Sequence, residues 1–326
     1  MAQWRIFTGK GEPKAVEFPP PPPWRTFEKP TEGDLHTSLT LDYSDRYWDR
    51  ARAYQTPPEI LDAVNAALIL RRPLLVTGPP GTGKSSLIYR IAFELALGPV
   101  LVWPVNSRST LESGLYDYDA IARLRDQGLN QSEAVDIGRY ISLRALGTAL
   151  LPSSRPRALL IDELDKADPD LPNDLLNALE EGWFEIPELQ RQDNKNVEVR
   201  VASSARTDYP QTVNAQITAG RVQCYEFPFI VLTSNGEREF PAAFLRRCIR
   251  VELKAPDVAQ LTQIVEAQVG KEIAEAARHY IDEFANNGRS SATDQLLNAT
   301  YLVHSVTGSE SDEAKRLYEM LTRSLS

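Results

Sequence analysis

From Arg71 onward, short apolar runs alternate with stretches in which apolar residues recur every three to four positions. An uninterrupted apolar run of four or five residues is what a strand covered on both faces requires. The 3.6-residue recurrence belongs to a helix with one packed face. Pro73–Thr77, Val100–Trp103, Ala158–Ile161 and Phe229–Thr233 are therefore read as strands, with Ile249–Leu253 as the fifth. Between the first two, Leu87, Ile88, Ile91, Ala92 and Leu95 share one helical face, and Gly98-Pro99 supplies a stop. That is a β-α-β unit, and the pattern as a whole predicts an α/β fold, a five-stranded parallel sheet flanked by helices.

After Ala255-Pro256 the strand-like runs cease and amphipathic helices follow at about 257–270, 271–286, 293–306 and 311–324, which reads as a small all-helical lid domain over 255–326. Residues 51–254 form the expected α/β domain, with long connections near 112–140 and 184–226. In the second connection Val197, Val199 and Val201 alternate with polar residues, as in an exposed hairpin. Residues 1–50 lack sustained periodicity and contain Pro19 to Pro23, a stiff polyproline stretch beside Trp24. This arm is expected to be pinned to the body by Trp4, Phe18 and Trp24, with a docking motif for a partner as the alternative.

Composition narrows the class without naming it. The 326 residues are 42% apolar, enough for a substantial core. Two cysteines, Cys224 and Cys248, are too few for a disulfide framework, so they are read as packing residues of a reducing compartment. The N-terminal stretch lacks the apolar core of a signal peptide, and no segment approaches the roughly 20 apolar residues of a membrane span. A cytoplasmic, soluble protein is expected. A net charge of −9 disfavours nucleic acid as partner.

Directly after the first strand stands Gly78-Pro79-Pro80-Gly81-Thr82-Gly83-Lys84-Ser85, followed by Ser86 and a helix. This is the phosphate-binding pattern G-x-x-x-x-G-K-[ST] in its required strand-to-helix setting. Glycines let backbone N–H groups converge on an anion, and Lys84 reaches the β- and γ-phosphates. The Ser85 hydroxyl is a ligand for Mg²⁺. A second motif lies at the end of Ala158–Ile161, where Asp162-Glu163 places two carboxylates at the rim of the sheet. Asp162 is expected to hold Mg²⁺ through its water shell and Glu163 to deprotonate the attacking water. Asp168-Pro169 downstream offers a cap and first residue for the next helix. The nearest approach to a guanine-reading motif, Asn194-Lys195-Asn196-Val197, lacks the final acid, so ATP is the expected nucleotide.

From the phosphate loop through Asp162-Glu163-Leu164-Asp165-Lys166-Ala167 to Phe240–Cys248, the chain resembles AAA+ ATPases, and more closely their MoxR-like branch, over about residues 50–305. The resemblance implies that Asn235, in Ser234-Asn235-Gly236, is the first sensor that positions the lytic water. It implies an arginine finger at Arg247, with Arg246 as second choice, and hence a homo-oligomeric ring, six-membered by the family's habit. Tyr54, Gln55 and Thr56 fall where such proteins contact adenine. In the lid, Asp294 stands where many relatives carry an arginine; Arg289 is the possible substitute.

The function these resemblances imply is Mg²⁺-dependent ATP hydrolysis that remodels a protein client, often with a partner carrying a von Willebrand factor A domain. Together with Gly114-Leu115-Tyr116-Asp117-Tyr118-Asp119, the phosphate loop also resembles ATPases of bacterial conflict or stress systems. Two alternatives stay open: a nucleic-acid-dependent motor or restriction-type NTPase, and an ATP-sensing switch with little turnover.

Overall fold

A computed structural model describes residues 4–28, 46–129, 136–202, 214–286, 293–306 and 312–322. Among these, the strands in chain order are β1 (Leu74–Thr77), β2 (Leu101–Pro104), β3 (Tyr116–Tyr118), β4 (Ile141–Leu143), β5 (Ala158–Asp162), β6 (Trp183–Glu185), β7 (Asn196–Arg200), β8 (Asn214–Thr218), β9 (Arg221–Gln223), β10 (Phe229–Ser234) and β11 (Ile249–Glu252). The five strands expected from the apolar runs are β1, β2, β5, β10 and β11, each placed within one residue of the sequence reading. They form one wholly parallel sheet in the spatial order β11-β1-β10-β5-β2.

Why continuous apolar runs were needed is visible in where successive side chains go. A strand sends alternate residues to opposite faces, so Leu74, Val76, Leu160 and Val231 enter one core with Ile88 and Ile91 of the helix Lys84–Glu94. Their neighbours Leu75, Leu159, Ile161, Ile230 and Leu232 enter the other, with Leu175 and Leu179 of the helix Leu171–Glu181. Each such buried aliphatic side chain contributes ~1.5–3 kcal/mol relative to exposure. The helix Leu171–Glu181 begins later than Asp168-Pro169 suggested. Asp168 Oδ1 instead accepts the Asp170 N–H, and Pro172 occupies the first turn.

The two long connections meet in a second sheet, β3-β4-β7-β8-β9-β6, antiparallel except where β4 runs alongside β7. This corrects the expectation of an exposed hairpin. β7 and β8 do pair antiparallel, but Val197, Val199, Ala215 and Ile217 are buried and join the core that also holds Leu159 and Ile161. Alternation marks a half-buried strand without revealing which surface covers it. Residues 203–213, which join β7 to β8, lie outside the described residues.

The arm is pinned, though by other residues than the two tryptophans. Trp4 is 44% and Trp24 74% exposed, whereas Phe7 is fully buried and Ile6, Val16 and Phe18 pack against the same core. Backbone polarity explains the choice. Asn65, itself buried, accepts the N–H groups of Ile6 and Phe7 and donates to the Phe7 carbonyl. Glu94 accepts the N–H groups of Thr8 and Gly11. An extended segment with no sheet partner needs such side chains to satisfy its backbone. Arg25 ends the polyproline stretch by donating to the carbonyls of Arg71, Leu179 and Glu180. The helical turns Arg46–Trp48 and Asp49–Ala53 run across the expected boundary at residue 50.

A third apolar cluster, around Leu261, Val265, Ile281, Leu296 and Tyr318, lies in the C-terminal helices Val258–Val269, Lys271–Ala276, Arg278–Asn286, Thr293–Val306 and Asp312–Thr322. No helix among the described residues is long and apolar enough to cross a membrane.

Candidate functional site

The phosphate loop connects the end of β1 to the helix Lys84–Glu94, and its glycines are demanded by geometry. Gly78 has φ +147°, and a Cβ there would collide with the Leu253 carbonyl oxygen. Gly83 has φ +82°, and a Cβ would lie 2.9 Å from Tyr54 Cε2. Only glycine adopts such backbone without strain and without a side chain in the way. The Lys84 ammonium donates to the carbonyls of Gly78 and Pro79, 2.8 Å each. Burial holds its pKa below the usual lysine value, against the opposing pull of Asp165, Asp162 and Glu163.

Three side chains converge at the carboxyl ends of β5 and β10. The Ser85 hydroxyl donates to Asp162 Oδ1 at 2.6 Å and the Thr233 hydroxyl to the same oxygen at 2.7 Å. Thr233 also accepts the Glu163 N–H at 2.8 Å. Glu163 follows at φ 60°, ψ 48°, a left-handed conformation that for a non-glycine residue costs about 1–3 kcal/mol and clusters at functional sites. Its carboxylate pairs with Lys166 Nζ at 2.7 Å, a hydrogen bond that raises the lysine's pKa. Asp165, 3% exposed, accepts the backbone N–H groups of Asn235 and Glu237 through Oδ2. It thereby ties the loop after β10 to the segment after β5.

Around these lies a cavity of about 700 Å³, of the size that holds small-molecule ligands. Its walls include Pro80 through Ser86, Asp162, Glu163, Thr233 and Asn235, together with Tyr54, Gln55 and Thr56 from the segment before the helix Leu61–Leu70. Gly78 and Pro79 contribute their carbonyls to Lys84 from just outside it. The lid side contributes Gln260, Gln263, Ile264, Gln268, Thr293, Asp294 and Leu297. Asp294 thus faces the cavity, and Arg289 lies outside the described residues. Desolvation pushes the Tyr54 hydroxyl's pKa well above the ordinary tyrosine value.

Arg246 and Arg247 are not brought to this cavity. Arg247 pairs with Glu180 and donates to the Ala243 carbonyl, and the Glu180 bond raises its pKa further. Arg246 donates to the Ala242 carbonyl. Thr233, Asp165, Lys10 and Arg50 were absent from the sequence reading of the site. Thr233 carried a signal, a hydroxyl closing the otherwise apolar run Phe229–Leu232. Lys10 and Arg50 carried none, because the arm's path is set by distant contacts.

The oxygens fit a hard divalent cation such as Mg²⁺, which is held by one or two protein oxygens together with phosphate oxygens. No group of three or more His, Cys, Asp or Glu side chains among the described residues could hold a metal ion. A family model described as AAA domain (dynein-related subfamily) matches residues 73–248, more than half of the chain and spanning β1 to the residue before β11. No curated protein matches the chain.

Proposed function

Because the chain belongs to the AAA domain family, dynein-related subfamily, we propose that it hydrolyses ATP with Mg²⁺ and uses the cycle to remodel a protein partner, in the manner of MoxR-like ATPases. The observation that carries the reading is the meeting of Ser85 and Thr233 on Asp162 beside Glu163, at the open end of a phosphate loop. A structural carboxylate would not gather two hydroxyls at the rim of a ligand-sized cavity.

In this reading Lys84 exchanges the Gly78 and Pro79 carbonyls for phosphate oxygens, and Ser85 and Asp162 would hold the cation. Mg²⁺, when bound, neutralises charge on the phosphates. Glu163 accepts a proton from water, and Asn235, fixed through its backbone to Asp165, positions that water. Tyr54, Gln55 and Thr56 border the base. Turnover in the family's manner requires a cation on the far side of the γ-phosphate. Arg247, or Arg246, stands off this chain's own cavity and would serve a neighbour's, in a head-to-tail ring of six. Rocking of the lid about Ala255-Pro256 would transmit the cycle to a client, with a von Willebrand factor A protein as the expected type of partner. A bacterial conflict or stress system is the proposed setting.

The test is ATP hydrolysis against protein concentration for the parent, Glu163→Gln and Arg247→Ala. Specific activity should climb with concentration, and Arg247→Ala subunits should regain turnover when mixed with Glu163→Gln subunits. Activity independent of concentration and of Arg247 would sink the ring.

The Glu163–Lys166 ion pair favours a second reading, a nucleotide switch of low turnover in which the base is engaged elsewhere. Lys166→Met would then raise turnover several-fold; under the first reading it would not.

A further inference from the structure

A nucleoside triphosphate carries about four negative charges, and the residues facing this cavity answer them unevenly. From the lid come three glutamines, Thr293 and Asp294, with no lysine or arginine among the described lining residues. Three cations line the cavity that no phosphate-loop pattern supplies: Lys254, just before the lid helices, Lys10 of the N-terminal arm and Arg50 of the helix Asp49–Ala53.

Arg50 is held through its side chain and Lys10 through its backbone neighbours. Arg50 donates through Nε to the Ser86 hydroxyl at 2.8 Å, and its guanidinium lies 4.8 Å from the Tyr89 ring centroid. Ser86 belongs to the first turn of the helix that opens the phosphate site, so Arg50 is fixed beside it. Guanidinium has five N–H donors, and the Ser86 bond uses one. Lys10 is clamped on either flank. The Gly9 carbonyl accepts the Thr56 hydroxyl at 3.1 Å, and Gly11 donates to Glu94 while its carbonyl accepts from Arg90. Neither Lys10 nor Arg50 forms an ion pair among the described residues, although seven other ion pairs are present there.

We propose that Arg50, with Lys10 beside it, binds the polyphosphate of the nucleotide from the arm side, supplying the positive charge that the lid does not. This rests on the nucleotide-site reading above and extends it: affinity depends on the arm, and nucleotide occupancy fixes the arm in place. Both contacts serve a diphosphate as well as a triphosphate, because Ser86 lies on the helix side of the phosphate loop.

The experiment is titration of the full chain with fluorescent ATP and ADP analogues. It compares the parent with Arg50→Gln, Arg50→Lys, Lys10→Gln and Lys84→Ala, each checked for its melting temperature. Arg50→Gln should weaken both nucleotides about tenfold, as loss of a charge-assisted contact does. Lys10→Gln should weaken them less, Arg50→Lys should recover part of the loss, and the dependence of affinity on salt should become shallower in both Gln variants. If Lys84→Ala abolishes binding while both Gln variants bind like the parent, the arm-side contact is wrong and the ATP site stands. Should the parent itself bind neither nucleotide, the underlying reading falls and this inference with it. If Arg50→Gln fails to fold, Lys10→Gln and Arg50→Lys still decide, and parent-like affinity and salt dependence in both would overturn the proposal.

Discussion

The Thr233 hydroxyl donates to Asp162 Oδ1 at 2.7 Å, so the carboxyl ends of two adjacent parallel strands are locked to each other at the mouth of the site. The same oxygen atom of Thr233 accepts the N–H of Glu163, in the left-handed backbone that aims the second carboxylate. One hydroxyl therefore orients both acids.

Thr233→Val keeps the shape and removes the hydroxyl. The Glu163 N–H and one lone pair of Asp162 lose their partner, at a cost of about 1–3 kcal/mol in stability. Hydrolysis should fall more than nucleotide affinity, since Lys84 and the loop are untouched; steady-state kinetics beside a binding titration separates the two. Loss of affinity alone, with turnover preserved, would contradict the role given to Thr233.

Glu163→Gln should bind ATP as the parent does while turnover drops by about 10²–10⁴, the usual contribution of a general base. The amide also surrenders the charge in the Lys166 pair. That pair is about two-fifths exposed on both partners, so melting temperature should move little.

Gly78→Ala should be severe for a structural reason. A Cβ there collides with the Leu253 carbonyl, which follows β11 and is held by its own N–H to the Thr77 carbonyl. Backbone cannot yield as a flexible side chain would, so soluble yield and nucleotide binding should both collapse. A folded, ATP-binding Gly78→Ala protein would refute the geometry given for the loop.

The arm's anchoring separates Phe7 from Trp24. Phe7→Ala empties a fully buried site and should cost about 3–5 kcal/mol, whereas Trp24→Ala, at 74% exposed, should fall within about 0.5 kcal/mol of the parent. Chemical denaturation of the two variants checks the order; the reverse order would restore the tryptophans as pins.

The cysteines give a pH dependence with a definite sign. Burial pushes the Cys224 and Cys248 thiols up to about 12 from the ordinary 9.0. Their folded pKa lies above the unfolded one, so their contribution to stability is complete below about pH 9 and is lost as pH rises toward 12. Cys→Ser variants should flatten the alkaline decline in melting temperature. Because the thiolate is the nucleophile, iodoacetamide at pH 8 should leave both residues unmodified in the native protein and label both after denaturation.

What the sequence determined by itself was whatever local chemistry over-specifies. Four nearly continuous apolar runs marked strands covered on both sides, and the alternating run Ile249–Leu253 became the edge strand β11. The loop from Gly78 to Ser85 and the acids Asp162-Glu163 announced themselves because phosphate binding demands particular residues at fixed spacing. Tertiary structure alone decided which residues meet across long separations. Val197 and Val199 alternate as any half-buried strand would, and nothing local says that β7 joins β4 from the other long connection to cover a shared core. Nor does the chain near Lys10 reveal that Asn65 and Glu94 satisfy the arm's backbone and carry Lys10 to the rim of the cavity. An extended segment without a sheet partner takes its path from hydrogen bonds offered by distant side chains, and those become neighbours only once the sheet and its helices have packed.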